Sequence, residues 1–275
     1  MRTASVRPVS SLVLAFVLAA ALGGCKTTSS VDTTGSISAS PTVRSEAEWR
    51  TESASLAEKF RSNPRDADTA IRYAQALRAT GQRTQAAAVL ETAALHNPNH
   101  KPLLGAYGRA LADTGGFKQA LEVLERAHSP DQPDWRILSV QGAVLDQMGR
   151  HDEAQRYYAS ALRIVPEEPS VMSNLGLSYA LSKDLKRAEN TLRQAAERAP
   201  ADKRVRQNLA LVVGLQGRFQ DAETIAKADL PPDEAAANVA TLRRMMAKNA
   251  APTNMKKTIR SRTVEGLEPV EESGS

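Results

Sequence analysis

The sequence predicts an all-α fold built from repeated helical hairpins, and three observations support this prediction. A 34-residue pattern runs twice without a break, so that Trp135–Pro166 can be laid over Pro169–Pro200. Small, large and proline positions recur in both copies at that same offset. The composition agrees, because the chain is 41% hydrophobic but only 4% aromatic, which suits an alanine-rich helical stack better than a β-sandwich.

Small residues recur at two places in the pattern, one in each predicted helix. In the second helix they form the series Ala86, Ala120, Ala154, Ala188 and Ala222. In the first helix they form the series Ala74, Gly108, Gly142, Gly176 and Ala210. Side chains this small let the two helices of a hairpin approach closely, with a large residue filling the gap beside them.

Glycine and proline mark the ends of the predicted helices. A residue in the left-handed conformation can end the first helix, and glycine suits that conformation. A glycine series with the same period, interrupted once by Lys183, comprises Gly81, Gly115, Gly149 and Gly217. Prolines follow the second helix, where the chain cannot remain helical, at Pro98, Pro166 and Pro200.

A fixed period of 34 residues with this order of positions resembles the tetratricopeptide repeat (TPR), a helix–turn–helix unit. The resemblance implies a right-handed superhelical solenoid of about five repeats with flanking capping helices. The repeats are expected over 67–100, 101–134, 135–168, 169–202 and 203–236. We expect a partial-repeat helix over 46–66 and a C-terminal capping helix over 233–248. The last repeat departs from the pattern, since Asp229 stands where alanine is expected.

Residues 1–24 predict a lipoprotein signal peptide. Arg2 and Arg7 precede an apolar stretch that is shorter than the roughly 20 residues of a membrane span. The stretch ends at Leu22-Gly23-Gly24-Cys25, which resembles a bacterial lipobox, and Cys25 is the only cysteine in the chain. We therefore expect covalent lipid on Cys25. The alternative is a free thiol behind an ordinary signal peptide.

The segments outside the repeats are expected to be unstructured. Residues 25–45 predict a flexible, Ser/Thr-rich tether with too little apolar content to form a core. Residues 249–275 carry a basic block and then an acidic block, a pattern typical of a disordered charged tail. Lys26, rather than aspartate, follows the cysteine. By resemblance to the sorting rule of some Gram-negative bacteria, this favours the periplasmic face of the outer membrane.

Motifs of catalysis and cofactor binding are missing from the sequence, which has no Walker loop, no paired-cysteine motif and no His-Glu-x-x-His. The segment 176–180 superficially resembles a nucleophile elbow around Ser178, but it would lie inside a helix. We expect no enzyme activity, no metal, and no cofactor apart from the lipid on Cys25. The net charge of +5 is weak evidence for nucleic acid, and neither nucleic acid nor a small-molecule substrate is expected. Surface positions are expected for His96, His100, His128 and His151.

The resemblance to the TPR family also implies a groove, lined by the first helices of successive repeats, that binds protein partners. The groove residues it selects here are Arg72, Gln75, Arg109, Arg136, Asp146, Asn174, Leu177, Gln207 and Asn208. Asn174 and Asn208 are 34 residues apart, and their amides could hold an extended peptide because they both donate and accept hydrogen bonds. We expect both to point away from the seam between helices. A merely solvated polar face is the alternative.

A lipobox, a tether, about five TPRs and a late alanine-rich helix are together similar to the TadD-type lipoproteins of the tight adherence (Flp) pilus. The stretch Leu230–Arg243, LPPDEAAANVATLR, closely resembles the end of that family's repeat region. The resemblance implies a non-enzymatic scaffold that helps to place or assemble the pilus secretin or other pilus assembly components. The alternative is a TPR lipoprotein of another envelope system: a type IV pilus pilotin, an outer-membrane protein assembly factor, or an adaptor for cell-wall enzymes.

Overall fold

The computed structural model describes residues 44–250, with side chains to 248. The all-α prediction is confirmed, because these residues form twelve α-helices and no β-strand, with one isolated bridge between Ser129 and Gln132. Among the described helices, none combines the length and the apolar character that crossing a lipid bilayer requires. The predicted signal peptide, Cys25, all but two residues of the tether, and the tail beyond Ala250 lie outside the described residues.

Five consecutive helical hairpins follow one leading helix, α1 (Glu46–Ser62). The first helices of the hairpins are α2 (Ala67–Ala79), α4 (Lys101–Asp113), α6 (Trp135–Gln147), α8 (Pro169–Leu181) and α10 (Lys203–Leu215). The second helices are α3 (Arg83–His96), α5 (Phe117–Arg126), α7 (His151–Ile164), α9 (Leu185–Arg198) and α11 (Phe219–Ala226). One further helix, α12 (Pro232–Ala250), comes after the hairpins. The predicted number of helix–turn–helix repeats is therefore confirmed.

The chain divides into two compact units, one ending at Ala199 and the other beginning at Pro200. In the first unit each helix from α1 to α9 packs against the next, and α2, α4, α6 and α8 also pack side by side. In the second unit α10 packs against α11, and α12 packs against both. First helices that lie side by side give the first unit a continuous surface made of one helix from each repeat.

Close approach of the helices depends on the small residues of the 34-residue pattern. A Cβ atom added to Gly142 would lie 2.7 Å from Tyr158 Cε1, and one added to Gly176 would lie 2.6 Å from Leu192 Cγ. Both distances are shorter than carbon atoms tolerate, so the large residue of the second helix occupies the space that the glycine leaves. Ala154 and Ala188 are fully buried in the same hairpins. The structure agrees with the role assigned to these residues from spacing.

The turns between paired helices use the left-handed conformation that the glycine series indicates. Gly149 has a φ of +75°, and Lys183, which interrupts the series, has a φ of +70°. The turn around Lys183 keeps the usual helix-ending bond, since the backbone N–H of Asp184 donates to the carbonyl of Tyr179 at 2.8 Å. A residue with a Cβ atom in this conformation costs about 1–2 kcal/mol. Lys183 therefore holds a turn that glycine would hold with less strain.

The second unit explains why Asp229 replaces an alanine. The Asp229 side chain is 2% exposed, and its Oδ2 accepts a hydrogen bond from Arg206 Nε of α10 at 2.8 Å. That hydrogen bond is the main reason that the pKa of Asp229 is lowered, while burial opposes it. The departure from the repeat pattern is thus a buried charge matched by an arginine within the same unit.

Candidate functional site

The sequence predicts the groove on the first helices, and three of those helices in the first unit begin at an acidic cap. Asp66 accepts from the backbone N–H of Asp68 at 3.3 Å, and Asp134 accepts from that of Arg136 at 2.7 Å. A side-chain cap satisfies an amide that the helix leaves free, and so it fixes where the helix starts. Glu168 caps α8 in the same way.

We define the inner face as the surface of α2, α4, α6 and α8 that carries Arg72, Gln75, Arg78, Arg109, Asp113, Arg136, Ser139, Asn174 and Leu177. At its start, Arg72 and Gln75 are exposed on α2. Arg72 Nη2 lies 3.4 Å from Glu52 Oε1 of α1, and 62% of the Arg72 side chain remains exposed. A solvent-exposed pair of this kind contributes little to stability. Both predicted residues are therefore accessible to a partner.

Arg78, Arg109 and Asp113 form a charged group at the contact of α2 with α4. Arg78 Nε donates to Asp113 Oδ2, and Asp113 lies one helical turn after Arg109. Desolvation, followed by repulsion from Arg78, lowers the pKa of Arg109, whereas the charge of Asp113 raises it. Arg109 is nevertheless exposed, and among the described residues it has no ion-pair partner within 4.0 Å. Arg78 is therefore paired with Asp113, and Arg109 stands beside this pair without forming an ion pair of its own within residues 44–250.

The inner face continues across α6 and α8 with fewer charges. The Arg136 guanidinium lies 4.4 Å from the centre of the Trp135 ring, a cation–π contact. Asn174 Nδ2 of α8 donates to Ser139 Oγ of α6 at 3.2 Å, and Leu177 is half-buried. The Asn174 amide therefore lies at the contact between two first helices, because Ser139 offers it an acceptor there.

Asp146 does not lie on the accessible surface, contrary to the prediction for the groove. It is buried, and Ser178 Oγ of α8 donates to its Oδ1 at 2.8 Å. Tyr158 Oη of α7 donates to its Oδ2 at 3.1 Å, and His151 Nδ1 lies 2.9 Å from Oδ1. Burial raises the pKa of Asp146, and these three hydrogen bonds oppose that effect. Asp146 is therefore a buried acceptor that joins two repeats.

Three histidines that the sequence places at the surface, His100, His128 and His151, are half-buried instead. His151 contacts Asp146, and His128 Nε2 lies 3.2 Å from Oε1 of Gln141, which is 1% exposed. Both partners are polar side chains buried in α6, and a buried polar group needs a hydrogen-bond partner. A third histidine, His100, caps α4 by accepting from the backbone N–H of Leu103 at 3.2 Å. These contacts give the three histidines structural positions.

Ser178 cannot serve as the nucleophile that the segment 176–180 superficially resembles. It lies inside α8, is fully buried, and donates its hydroxyl proton to the buried carboxylate of Asp146. A nucleophile elbow requires an exposed serine on a turn between a strand and a helix. Over residues 44–250, no group of three or more histidine, cysteine or acidic side chains is placed to hold a metal ion.

The remaining predicted groove residues, Gln207 and Asn208, belong to α10 in the second unit. Both are half-buried. They are followed by Leu209, which is 5% exposed and belongs to the interior. Neither residue is fully enclosed, so both stay candidates for partner contact.

Comparison with known proteins identifies the repeats. Residues 77–143 and 147–212 match the family model for the tetratricopeptide repeat. The crystal structure of PilW, described as a widely conserved type IV pilus biogenesis factor, aligns with a TM-score of 0.62 at 17% identity, covering 70% of this chain and 91% of that chain. A thermophilic TPR protein of Thermus thermophilus aligns with a TM-score of 0.54 at 21% identity, covering 61% of this chain and 91% of that chain.

A third solved structure, PilF of Pseudomonas aeruginosa, aligns with a TM-score of 0.50 at 17% identity, covering 65% of this chain and 82% of that chain. No curated protein matches the chain significantly. At these identities the solved structures show the fold, which is the same series of helical hairpins. The family model identifies residues 77–143 and 147–212 of this chain as tetratricopeptide repeats, and the solved structures share that fold.

Proposed function

We propose that this chain is a non-enzymatic scaffold of the bacterial cell envelope that binds protein partners through its inner face. TPR domains bind protein partners, and the inner face is the observation that carries the proposal. Three first helices, α2, α4 and α6, place accessible polar side chains on one surface of the first unit: Arg72, Gln75, Arg109 and Arg136. None of these four is needed to fill the core, so the surface is available for binding.

We further propose that the scaffold serves assembly or localisation of the tight adherence (Flp) pilus secretion machinery, with the secretin or another pilus component as its partner. Three features support this assignment: the lipobox, the repeat count, and the stretch Leu230–Arg243. From Pro232 onward that stretch lies in α12, which packs against the last hairpin. The resemblance to TadD-type lipoproteins rests on all three.

A second candidate is a scaffold of the type IV pilus. PilW, which aligns over 91% of its own chain, is described as a type IV pilus biogenesis factor. The low identity of 17% means that this likeness supports a shared fold, and a shared role is our proposal. Both candidates predict an envelope protein that acts by holding a partner.

We propose that lipid on Cys25 anchors the scaffold to the periplasmic face of the outer membrane. Several acyl chains give stable insertion where one chain is marginal, at about 0.8 kcal/mol per buried methylene. Cys25→Ser should release the protein from membranes or leave it unprocessed. Membrane fractionation and the mass of the mature protein test this, and normal processing with unchanged membrane retention of the variant would contradict it.

Pilus assembly in a deletion strain is the measurement that tests the proposed function. A strain that lacks this protein should form fewer heat-resistant secretin multimers and fewer surface pili, and re-expression should restore both. Affinity purification from detergent-solubilised envelopes should recover pilus assembly components. If tight adherence pili are normal but type IV pili are lost, the second candidate is correct. If both pili are normal and a barrel-assembly complex co-purifies, neither pilus assignment stands.

A further inference from the structure

We propose that the inner face recognises an acidic segment of its partner, and that a carboxylate of this segment binds between Arg78 and Arg109. This inference rests on the proposed function, because it takes the inner face as the binding surface. It adds the chemical class of the partner and the two residues that select it.

Positive charge exceeds negative charge where Arg78 and Arg109 lie. Asp113 is the carboxylate that Arg78 contacts, and Arg109 stands one turn before Asp113 on the same helix. Repulsion between the two guanidinium groups is unfavourable, and, of the described side chains, Asp113 pairs with Arg78 alone. A second carboxylate would give each arginine its own partner, so the free protein is complementary to an incoming anion.

Both arginines are accessible to a partner, and their side chains have the shape that binds a carboxylate. Arg109 is exposed, and about a third of the Arg78 side chain, 32%, is exposed. A guanidinium group presents its donors as a planar fork that matches the two oxygens of a carboxylate, and such charge-assisted bonds are stronger than neutral ones. Surrounding protein partly desolvates Arg109, which strengthens its attraction to an anion relative to a site in open water.

Further arginines lie on the inner face on either side of Arg78 and Arg109. Arg72 on α2 and Arg136 on α6 are exposed, so positive charge continues along the inner face in both directions. Of the acids on these helices, Asp113 is already paired and Asp146 is buried, and Asp68 is exposed in the first turn of α2. An extended segment with several aspartate or glutamate residues would therefore meet favourable charge from Arg72 to Arg136.

A protein segment fits better than a nucleic acid. The inner face also carries the half-buried apolar side chain of Leu177, which suits the side chains of a peptide. The Trp135 ring, next to Arg136 of the inner face, is covered by the Arg136 guanidinium and is not presented for base stacking.

The test uses the full chain purified in detergent and fluorescent peptides of about 12 residues, roughly 40 Å when extended. One peptide alternates glutamate with alanine, and its counterpart has glutamine in place of glutamate. We expect the glutamate peptide to bind more tightly, and its affinity to fall at about 1 M salt, where charge is screened. Arg109→Gln should weaken binding by about tenfold. This variant leaves the Arg78–Asp113 pair in place, so the fold is retained.

The matched control is Arg163→Gln, which removes an exposed arginine from α7, a second helix, and should leave binding unchanged. The inference is overturned if the two peptides bind equally, if neither binds, or if Arg109→Gln binds like the wild type. It is also overturned if a single-stranded oligonucleotide of equal charge binds more tightly than the peptide. Loss of pili in the deletion strain with no effect of Arg109→Gln on peptide binding rejects this inference alone. Normal pili with the expected peptide binding reject the pilus assignment alone.

Discussion

Ser178 of α8 donates a hydrogen bond of 2.8 Å to the carboxylate of Asp146 in α6, and this contact joins two consecutive repeats. The Ser178 side chain is fully buried, and Tyr158 and His151 contact the same carboxylate. Contacts between neighbouring repeats determine how well an array holds together. The third and fourth repeats are thus joined by a buried polar cluster in addition to their apolar core.

Removing the acceptor of this cluster should destabilise the fold. Asp146→Ala leaves the hydroxyls of Ser178 and Tyr158 buried without it, at a cost of about 1–3 kcal/mol. Asp146→Asn keeps an oxygen acceptor and should cost less. Urea denaturation followed by circular dichroism measures both variants. Equal stability of the alanine variant and the wild type would show that the cluster does not join the repeats.

The same position should change how stability depends on pH. Burial raises the pKa of Asp146 above its ordinary value of 3.8, so the folded state binds this proton more tightly than the unfolded state. Its contribution to the free energy of unfolding is then greatest below the unfolded pKa and falls as pH rises through the raised pKa. Asp146→Asn lacks this effect. The stability of the variant relative to wild type should therefore increase from about pH 3.8 upward, and a decrease over that range would contradict the direction of the shift.

A larger side chain at the contact between the two helices of a hairpin should destabilise the fold. Ala188 is fully buried in α9, so Ala188→Leu should overpack the hairpin and cost roughly 1–3 kcal/mol. The matched control is Ala159→Leu, the same change at an exposed position of α7, which should leave stability nearly unchanged. Thermal melting measures both. If the two variants melt alike, the 34-residue register is wrong.

Replacing Lys183 with glycine should make the fold more stable. Lys183→Gly removes the strain of a left-handed residue with a Cβ atom, but it also gives the unfolded chain more freedom. We expect a net gain of up to about 1 kcal/mol in the free energy of unfolding. Gly149→Lys, at the equivalent turn one repeat earlier, should lose a similar amount, although nothing lies within 4 Å of an added Cβ atom there. Destabilisation by Lys183→Gly would contradict this account of the turn.

Features that repeat every 34 residues were predictable, because a period reports a constraint that each hairpin must meet. The closeness of Gly142 to Tyr158 and the left-handed turns follow from such constraints. Single departures from the period were harder to interpret. The family resemblance predicts Asp146 in the groove, because that position of the repeat faces the groove. In this chain Asp146 is buried instead, where it accepts hydrogen bonds from Ser178 and Tyr158.

A comparison between consecutive repeats contains a signal that predicts buried positions for Gln141 and Asp146. Gln141 and Asp146 both stand in α6 where the next repeat has the apolar residues Leu175 and Ala180. A polar residue at an otherwise apolar position needs a partner, and His128 and His151 are those partners. The pairing of Arg78 with Asp113 beside Arg109 could not be derived from one sequence, because it depends on how closely α2 and α4 approach.

Site-specific photo-crosslinking in living cells tests the central claim, that the inner face is the partner-binding surface. A photoreactive amino acid would replace Gln75, exposed on the inner face, and in a second strain Thr92, exposed on the second helix of the same repeat. We predict a crosslinked partner from position 75 and none from position 92, with both proteins equally expressed and anchored. Crosslinking from position 92 alone would contradict the claim and place the binding surface on the second helices.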